Sequence, residues 1–190
     1  AYLACIRWTD EQIGRVLDAL ENGPHADNTI VVLFSDHGYH LGEKQRWSKF
    51  SLWERTTHVP LIISVPPIIS PDFGSPRISG QPVELLSIYP TLIDLCGLPE
   101  NPMLEGVSLR PLLEKPDAAW KHVAISTLGQ NNHAIRDQHW RYIRYADGRE
   151  ELYDHQTDPN EWTNLAFGDI DPTHKEVINR MRKFIPETNE

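Results

Sequence analysis

Residues 29–38, Thr-Ile-Val-Val-Leu-Phe-Ser-Asp-His-Gly, decide the fold. Thr29 to Phe34 is an unbroken run rich in β-branched and aromatic side chains, the pattern of a strand buried on both faces, and it stops at Ser35. In open parallel α/β sheets ligands sit beyond the carboxyl ends of strands, so Asp36 and His37 stand where a site is expected. Neighbouring strand side chains point to opposite faces, so these two meet one ion only if the backbone turns, and Gly38 permits a turn. The competing reading is a polar turn closed by an Asx-type hydrogen bond, which an isolated Ser-Asp-His-Gly favours.

Upstream, Leu3, Ile6, Ile13, Val16, Leu17 and Leu20 recur at helical spacing, and Asn22-Gly23-Pro24 supplies a stop. Helix, short loop and strand make half of a βαβ unit. Downstream lies a long polar and aromatic loop carrying His40, Glu43, Lys44, Arg46, Trp47, Lys49 and Trp53, then Thr57-His58-Val59-Pro60 and a second apolar run from Leu61 to Val65. Loops after buried strands carry binding groups, although a single Lys or His there is more often a solvated surface group. The proline-rich stretch from Pro66 to Pro82 reads as an irregular surface connection. Leu85 to Cys96 resumes helical spacing, broken by Pro90 and ended by Gly97.

Beyond Pro116 the pattern changes to short runs at Val123–Ile125, Ala134–Arg136, Trp140–Tyr145 and Glu151–Tyr153, with a hairpin signal at Asp147-Gly148. A last amphipathic helix runs from Lys175 to Ile185. The expected architecture is α/β, with residues 1–117 the C-terminal portion of a catalytic α/β domain. Residues 118–190 form a small α+β subdomain with an antiparallel sheet and a C-terminal helix.

The 190 residues are 39% hydrophobic and carry a formal net charge of -9, which disfavours nucleic-acid and anionic-membrane partners, since those require clustered Lys and Arg. No apolar run approaches the roughly 20 residues that cross a bilayer. Cys5 and Cys96 are too few and too far apart for a disulfide framework or zinc site and read as buried free thiols.

The run VVLFSDHGYHLGEKQRWSKFSLWERTTHVPLII, followed by SIYPTLIDLCGLP, EGVSLRPLL and RYIRYADGREELYDHQTDPNEWTNLA, resembles the C-terminal half of the type I sulfatases of the alkaline phosphatase superfamily, most of all the iduronate sulfatase group. The resemblance implies a sulfuric ester hydrolase. It makes Asp36 and His37 metal ligands, gives His37 a catalytic place beside Lys49, and makes Lys49 the cation that touches the sulfate oxygens. His58 is implied as a second substrate contact, and His40 as a weaker pocket candidate. The metal so implied is calcium, with manganese as the alternative because many sulfatases resemble Asp-Asn here and calcium prefers oxygen to an imidazole nitrogen. The assignment is chemically coherent: displacement at sulfur puts charge on the oxygens, which a metal and a lysine stabilise from preset positions.

The family's nucleophile is a formylglycine made from the cysteine of a C-x-P/A-S-R signature, and neither Cys5-Ile6-Arg7 nor Cys96-Gly97-Leu98-Pro99 fits it. The family's N-terminal aspartate pair is also missing. The nucleophile is therefore expected from a missing N-terminal half, the isolated chain is expected to be inactive, and the face of the first helix and the edge of the Thr29 strand to lie open without it. The implied substrate is a sulfated small molecule or saccharide, and the implied compartment is exported (periplasmic or extracellular) or lysosomal. Two alternatives stay open: a phosphonate or phosphate ester hydrolase of the same superfamily, and a non-catalytic fragment.

Overall fold

The computed structural model describes residues 1–69 and 76–187. They group into two compact units, Ala1–Leu33 with Ile62–Pro76, and Phe34–Leu61 with Arg77–Glu190.

In the first unit, helix α1 spans Tyr2–Glu21 and ends where Asn22 N–H donates to Asp18 O and Gly23 N–H to Leu20 O. None of its 20 residues is buried. Strand β1 (Val31–Phe34) pairs with β4 (Leu61–Ser64). The expected burial of β1 on both faces is not found: its residues are half-buried and Phe34 is exposed, because one partner strand leaves most of a two-faced apolar strand uncovered. Part of the proline-rich stretch, residues 70–75, lies outside the described residues. Cys5 and Cys96 are both exposed, which corrects the buried-thiol expectation: Cys5 sits on a helix that buries nothing, and Cys96 is the C-cap of the helix Ile88–Leu95.

In the second unit the long polar loop contains an unforeseen two-stranded hairpin. Strand β2 (His40–Leu41) pairs antiparallel with β3 (Trp47–Ser48) around a tight turn entered through Gly42 at φ 123°. Two-residue strands give no readable alternation, so sequence periodicity misses them. The short helix α2 (Glu54–Thr57) follows. Helix α3 (Ile88–Leu95) is not broken by Pro90, which falls in its first turn, where the missing N–H had no helical partner to lose. It closes with a Schellman motif: Leu98 N–H donates to Ile93 O and Gly97, at φ 61°, donates to Asp94 O. Helix α4 spans Arg110–Glu114.

The four-stranded antiparallel sheet has the order β5 (Ala124–Thr127), β6 (His133–Arg136), β7 (Trp140–Arg144), β8 (Glu150–Asp154). Both faces are covered. Ile135, Tyr142 and Leu152 point to α5 (Pro172–Arg182) and pack on Ile178 and Met181. Their neighbours Ala134, Ile143 and Tyr153 point the other way and pack with Leu52 and Trp53. Each buried Ile or Leu stabilises by about 1.5–3 kcal/mol. Helix α5 starts earlier than expected: Asp171 caps it by accepting from Thr173 N–H, and Pro172 occupies its first turn. By strand parity, the side chains of Arg141, Arg136 and Glu151 leave the sheet on the Leu52 face, toward the loop that carries the candidate site residues.

Candidate active site

The turn after β1 is built by hydrogen bonds from both sides. Ser35 Oγ donates to His37 O at 2.9 Å and Asp36 Oδ1 accepts from His37 N–H at 3.0 Å. Gly38 N–H donates to Thr56 O in α2 at 2.7 Å. A Cβ on Gly38 would stand 2.1 Å from Arg55 O, so only glycine allows the two segments to approach. The turn that sequence reasoning required is present, and it brings the two side chains together: His37 Nε2 lies 3.5 Å from Asp36 Oδ2. A carbonyl can only accept, so the 2.9 Å contact of His37 Nδ1 with Gly38 O places a proton on Nδ1, and in the neutral imidazole the lone pair is then on Nε2. An imidazole nitrogen oriented in this way beside a carboxylate that is 82% exposed suits one edge of a divalent cation's coordination shell.

Lys49 follows β3 directly and is half-buried, with Nζ 5.6 Å from the Phe50 ring. Among the described residues it forms no ion pair with Asp36 or His37. Ser48, just before it, holds φ 98°, and Lys44 and Gln45 in the hairpin turn hold φ 54° and 56°. Such left-handed conformations in non-glycine residues persist only where surroundings enforce them. His58 is 75% exposed, and its Nδ1 sits 2.9 Å from Glu54 Oε1. That hydrogen bond raises its pKa against the opposing effect of burial.

His40, the weaker pocket candidate, is fully buried, with Nε2 2.9 Å from Ser51 Oγ and the ring edge-on to Trp53; burial lowers its pKa. Ser51 Oγ lies 2.6 Å from Thr56 Oγ1, so His40 fastens the hairpin to α2.

Beneath these residues lies a charged network that sequence reasoning missed. Glu54, His155 and Glu161 bring ligand-type atoms within 4.8 Å of one another. The Arg141 guanidinium occupies their midst: it bonds Glu54 Oε2, and its Nε stands 2.6 Å from Glu161 Oε1. Glu161 Oε1 also lies 3.0 Å from His155 Nε2, and Glu161 Oε2 accepts from Glu54 N–H at 2.9 Å. The Lys44 ammonium bonds Glu161 O and the Tyr153 hydroxyl and stacks between the Trp53 and Tyr153 rings, each 4.6 Å away. Burial lowers the Lys44 pKa. Burial pushes the Glu54 carboxyl up, but the His58 hydrogen bond and the Arg141 charge outweigh it and hold Glu54 well below the usual carboxylate range. A guanidinium already satisfies this cluster, so it is a structural ion network rather than a metal site. Its members pair across 87 and 107 residues of chain, a separation that no local pattern reveals.

The sulfatase family model matches residues 1–98. A relative called sulfatase from Formosa agariphila is 45% identical over 189 residues, covering 100% of this chain and 36% of its own length. A solved structure described as a complex with its substrate D-glucosamine-2-N,6-O-disulfate shares 30% identity at TM-score 0.75, over 96% of this chain and 39% of that one. The phosphonate monoester hydrolase of Agrobacterium radiobacter shares 27% identity at TM-score 0.71, over 92% of this chain and 37% of that one. The chain spans about a third of the length of the curated relatives it matches. It belongs to the sulfatase family.

Proposed function

We propose that this sulfatase-family chain supplies the metal-holding and sulfate-gripping part of an enzyme that hydrolyses the sulfate ester of a sulfated saccharide. The observation that carries the proposal is the Asp36–His37 edge, with an exposed carboxylate oxygen and an oriented imidazole lone pair 3.5 Å apart in a turn that only Gly38 allows. Asp36 and His37 would hold calcium, or manganese as the ion better suited to the nitrogen. Such an ion supplies Lewis-acid polarisation of the ester and neutralises developing charge. Lys49 donates to the non-bridging sulfate oxygens, where an ammonium in a preset position gains strength as charge grows. His58, protonated more readily because Glu54 holds it, offers a second cationic contact to an anionic substrate. The nucleophile, a formylglycine, would come from chain outside these residues.

The saccharide assignment is supported by the resemblance to the iduronate sulfatase group and by the sugar disulfate bound in a related structure. An exported or lysosomal location fits polymeric sulfated substrates. Among the described residues no helix is long and apolar enough to cross a membrane. Residues 1–117 would belong to the catalytic domain, and 118–190 to a subdomain that braces it. The test is hydrolysis of sulfated monosaccharides by the full-length protein with and without a chelator, beside the 190-residue chain alone. The expected result is chelator-sensitive release of sulfate by the former and none by the latter; release by the short chain would overturn the proposal.

A second reading, phosphonate ester hydrolysis, is favoured by the likeness to the Agrobacterium enzyme. Both anions are tetrahedral, so Asp36, His37 and Lys49 serve either. A higher kcat/KM for a phosphonate monoester than for any sulfate ester would select it.

A further inference from the structure

We infer that Glu161 is a positioning residue for the Asp36–His37 and Lys49 site, acting through both segments that frame it. The inference rests on the reading of those three residues as the site. Two arms reach the site from Glu161. Its carboxylate accepts Glu54 N–H at 2.9 Å and so fixes the first residue of α2, the helix whose Thr56 carbonyl receives Gly38 N–H at 2.7 Å. Its backbone carbonyl accepts the Lys44 ammonium in the turn of the hairpin that ends at Ser48, beside Lys49. A third link closes the loop, since Thr56 Oγ1 meets Ser51 Oγ and Ser51 meets His40 on β2. The metal-ligand turn is thus tied to the Glu161 carboxylate through α2, and the lysine segment to the same residue through its backbone carbonyl.

Glu161 has the marks of a residue retained for its place. It is 1% exposed and sits at φ 60°. A charge-bearing side chain in a left-handed conformation is costly for packing alone, where a small apolar residue would serve. Its charge is matched by Arg141, whose other arm holds Glu54 Oε2, so α2 is gripped by side chain and backbone together. A residue that holds metal ligands only through their neighbours still governs affinity, because sub-ångström misplacement of a ligand pair weakens binding steeply.

The experiment compares Glu161→Gln and Glu161→Ala with a remote core variant, Ile178→Val, in the full-length protein. Calcium binding is read by calorimetry, amide exchange by mass spectrometry over residues 35–41 and 49–58, and turnover with 4-nitrophenyl sulfate. Glu161→Ala should weaken calcium binding about 10- to 100-fold, speed exchange in both segments and lower kcat more than it raises KM. Glu161→Gln should fall between it and wild type, because its amide oxygen still accepts Glu54 N–H; it also carries the test should the alanine variant fail to fold. Ile178→Val should lower the melting temperature while leaving calcium affinity and exchange in both segments as in wild type. Wild-type calcium affinity and exchange in the Glu161 variants would overturn the inference, as would the same losses in Ile178→Val or a wild type that binds no calcium. A wild type that binds calcium, loses it on Glu161 substitution and hydrolyses no sulfate ester would remove the sulfatase reading and leave the inference standing.

Discussion

Two polar constellations, one made of adjacent residues and one assembled across 107 residues of chain, differ in almost every physical respect. Glu54, Arg141, Glu161 and His155 form a buried cluster in which each carboxylate oxygen faces a cation or an N–H. Asp36 and His37 form an open pair, one side chain 82% exposed and the other 34%. By crude proximity the buried cluster is the better metal site, with three ligand-type residues within 4.8 Å. Its charges are already balanced from within, so a cation entering there would have to displace Arg141. The open pair has one proton placed on the backbone side, and among the described residues His37 Nε2 and Asp36 Oδ2 face only each other. Proximity of ligand types is a weaker guide to a metal than the question of which atoms still have capacity to spare.

The sharpest way to break this contrast is Arg141→Met. It leaves two buried carboxylates facing one another and should cost about 3–5 kcal/mol of stability, read by chemical denaturation. A loss below about 1 kcal/mol would mean that the cluster is not charge-balanced by Arg141. Next, Gly38→Ala forces a Cβ against Arg55 O and should cost about 1–3 kcal/mol while abolishing divalent-cation binding. Binding that survives it would separate the pair from the Gly38–Thr56 link.

Smaller effects follow from pH. The pKa of Glu54 is depressed, so its contribution is present above its ordinary value of 4.5 and lost as pH falls through the folded-state value. The pKa of His58 is raised, so the stability from its bond to Glu54 is present below 6.5 and lost as pH rises through its elevated value. Melting temperatures across acid and neutral pH should show both slopes in the wild type, and His58→Ala should remove the upper one and shrink the lower, because the same hydrogen bond depresses the Glu54 pKa. The least effect on folding belongs to the open pair. Asp36→Ala should change stability by no more than about 0.5 kcal/mol and yet eliminate calcium binding in the full-length protein. A large stability loss there would make Asp36 part of the scaffold.

The sheet is legible as four short runs separated by turn residues, to within a residue or two of the strand ends, but both of its faces carry apolar side chains, so the runs do not tell which residues meet α5 and which meet Leu52. Helix α1 is legible from its spacing; amphipathicity reveals a face without revealing what meets it, and the open face was expected only on the ground of a missing N-terminal half. The Asp171-Pro172 start of α5 is a capping signal that apolar spacing alone does not register. Asp36 and His37 stood out because they end an apolar strand. Glu54, Arg141 and Glu161 did not, because each alone is an ordinary charged residue and only the fold makes them neighbours.

The bond from Glu54 N–H to Glu161 spans 107 residues, and this sets an order of events. During synthesis the Asp36–His37 turn leaves the ribosome long before the carboxylate that steadies it. Until β7, β8 and the loop to Glu161 have emerged and closed over Leu52, the turn has its local hydrogen bonds and no clamp. Such distant closure is slow and comes late in folding. The corner proposed to hold an ion is made before the residue that steadies it, so a chain interrupted before Glu161 would carry the proposed ligands without the means to aim them.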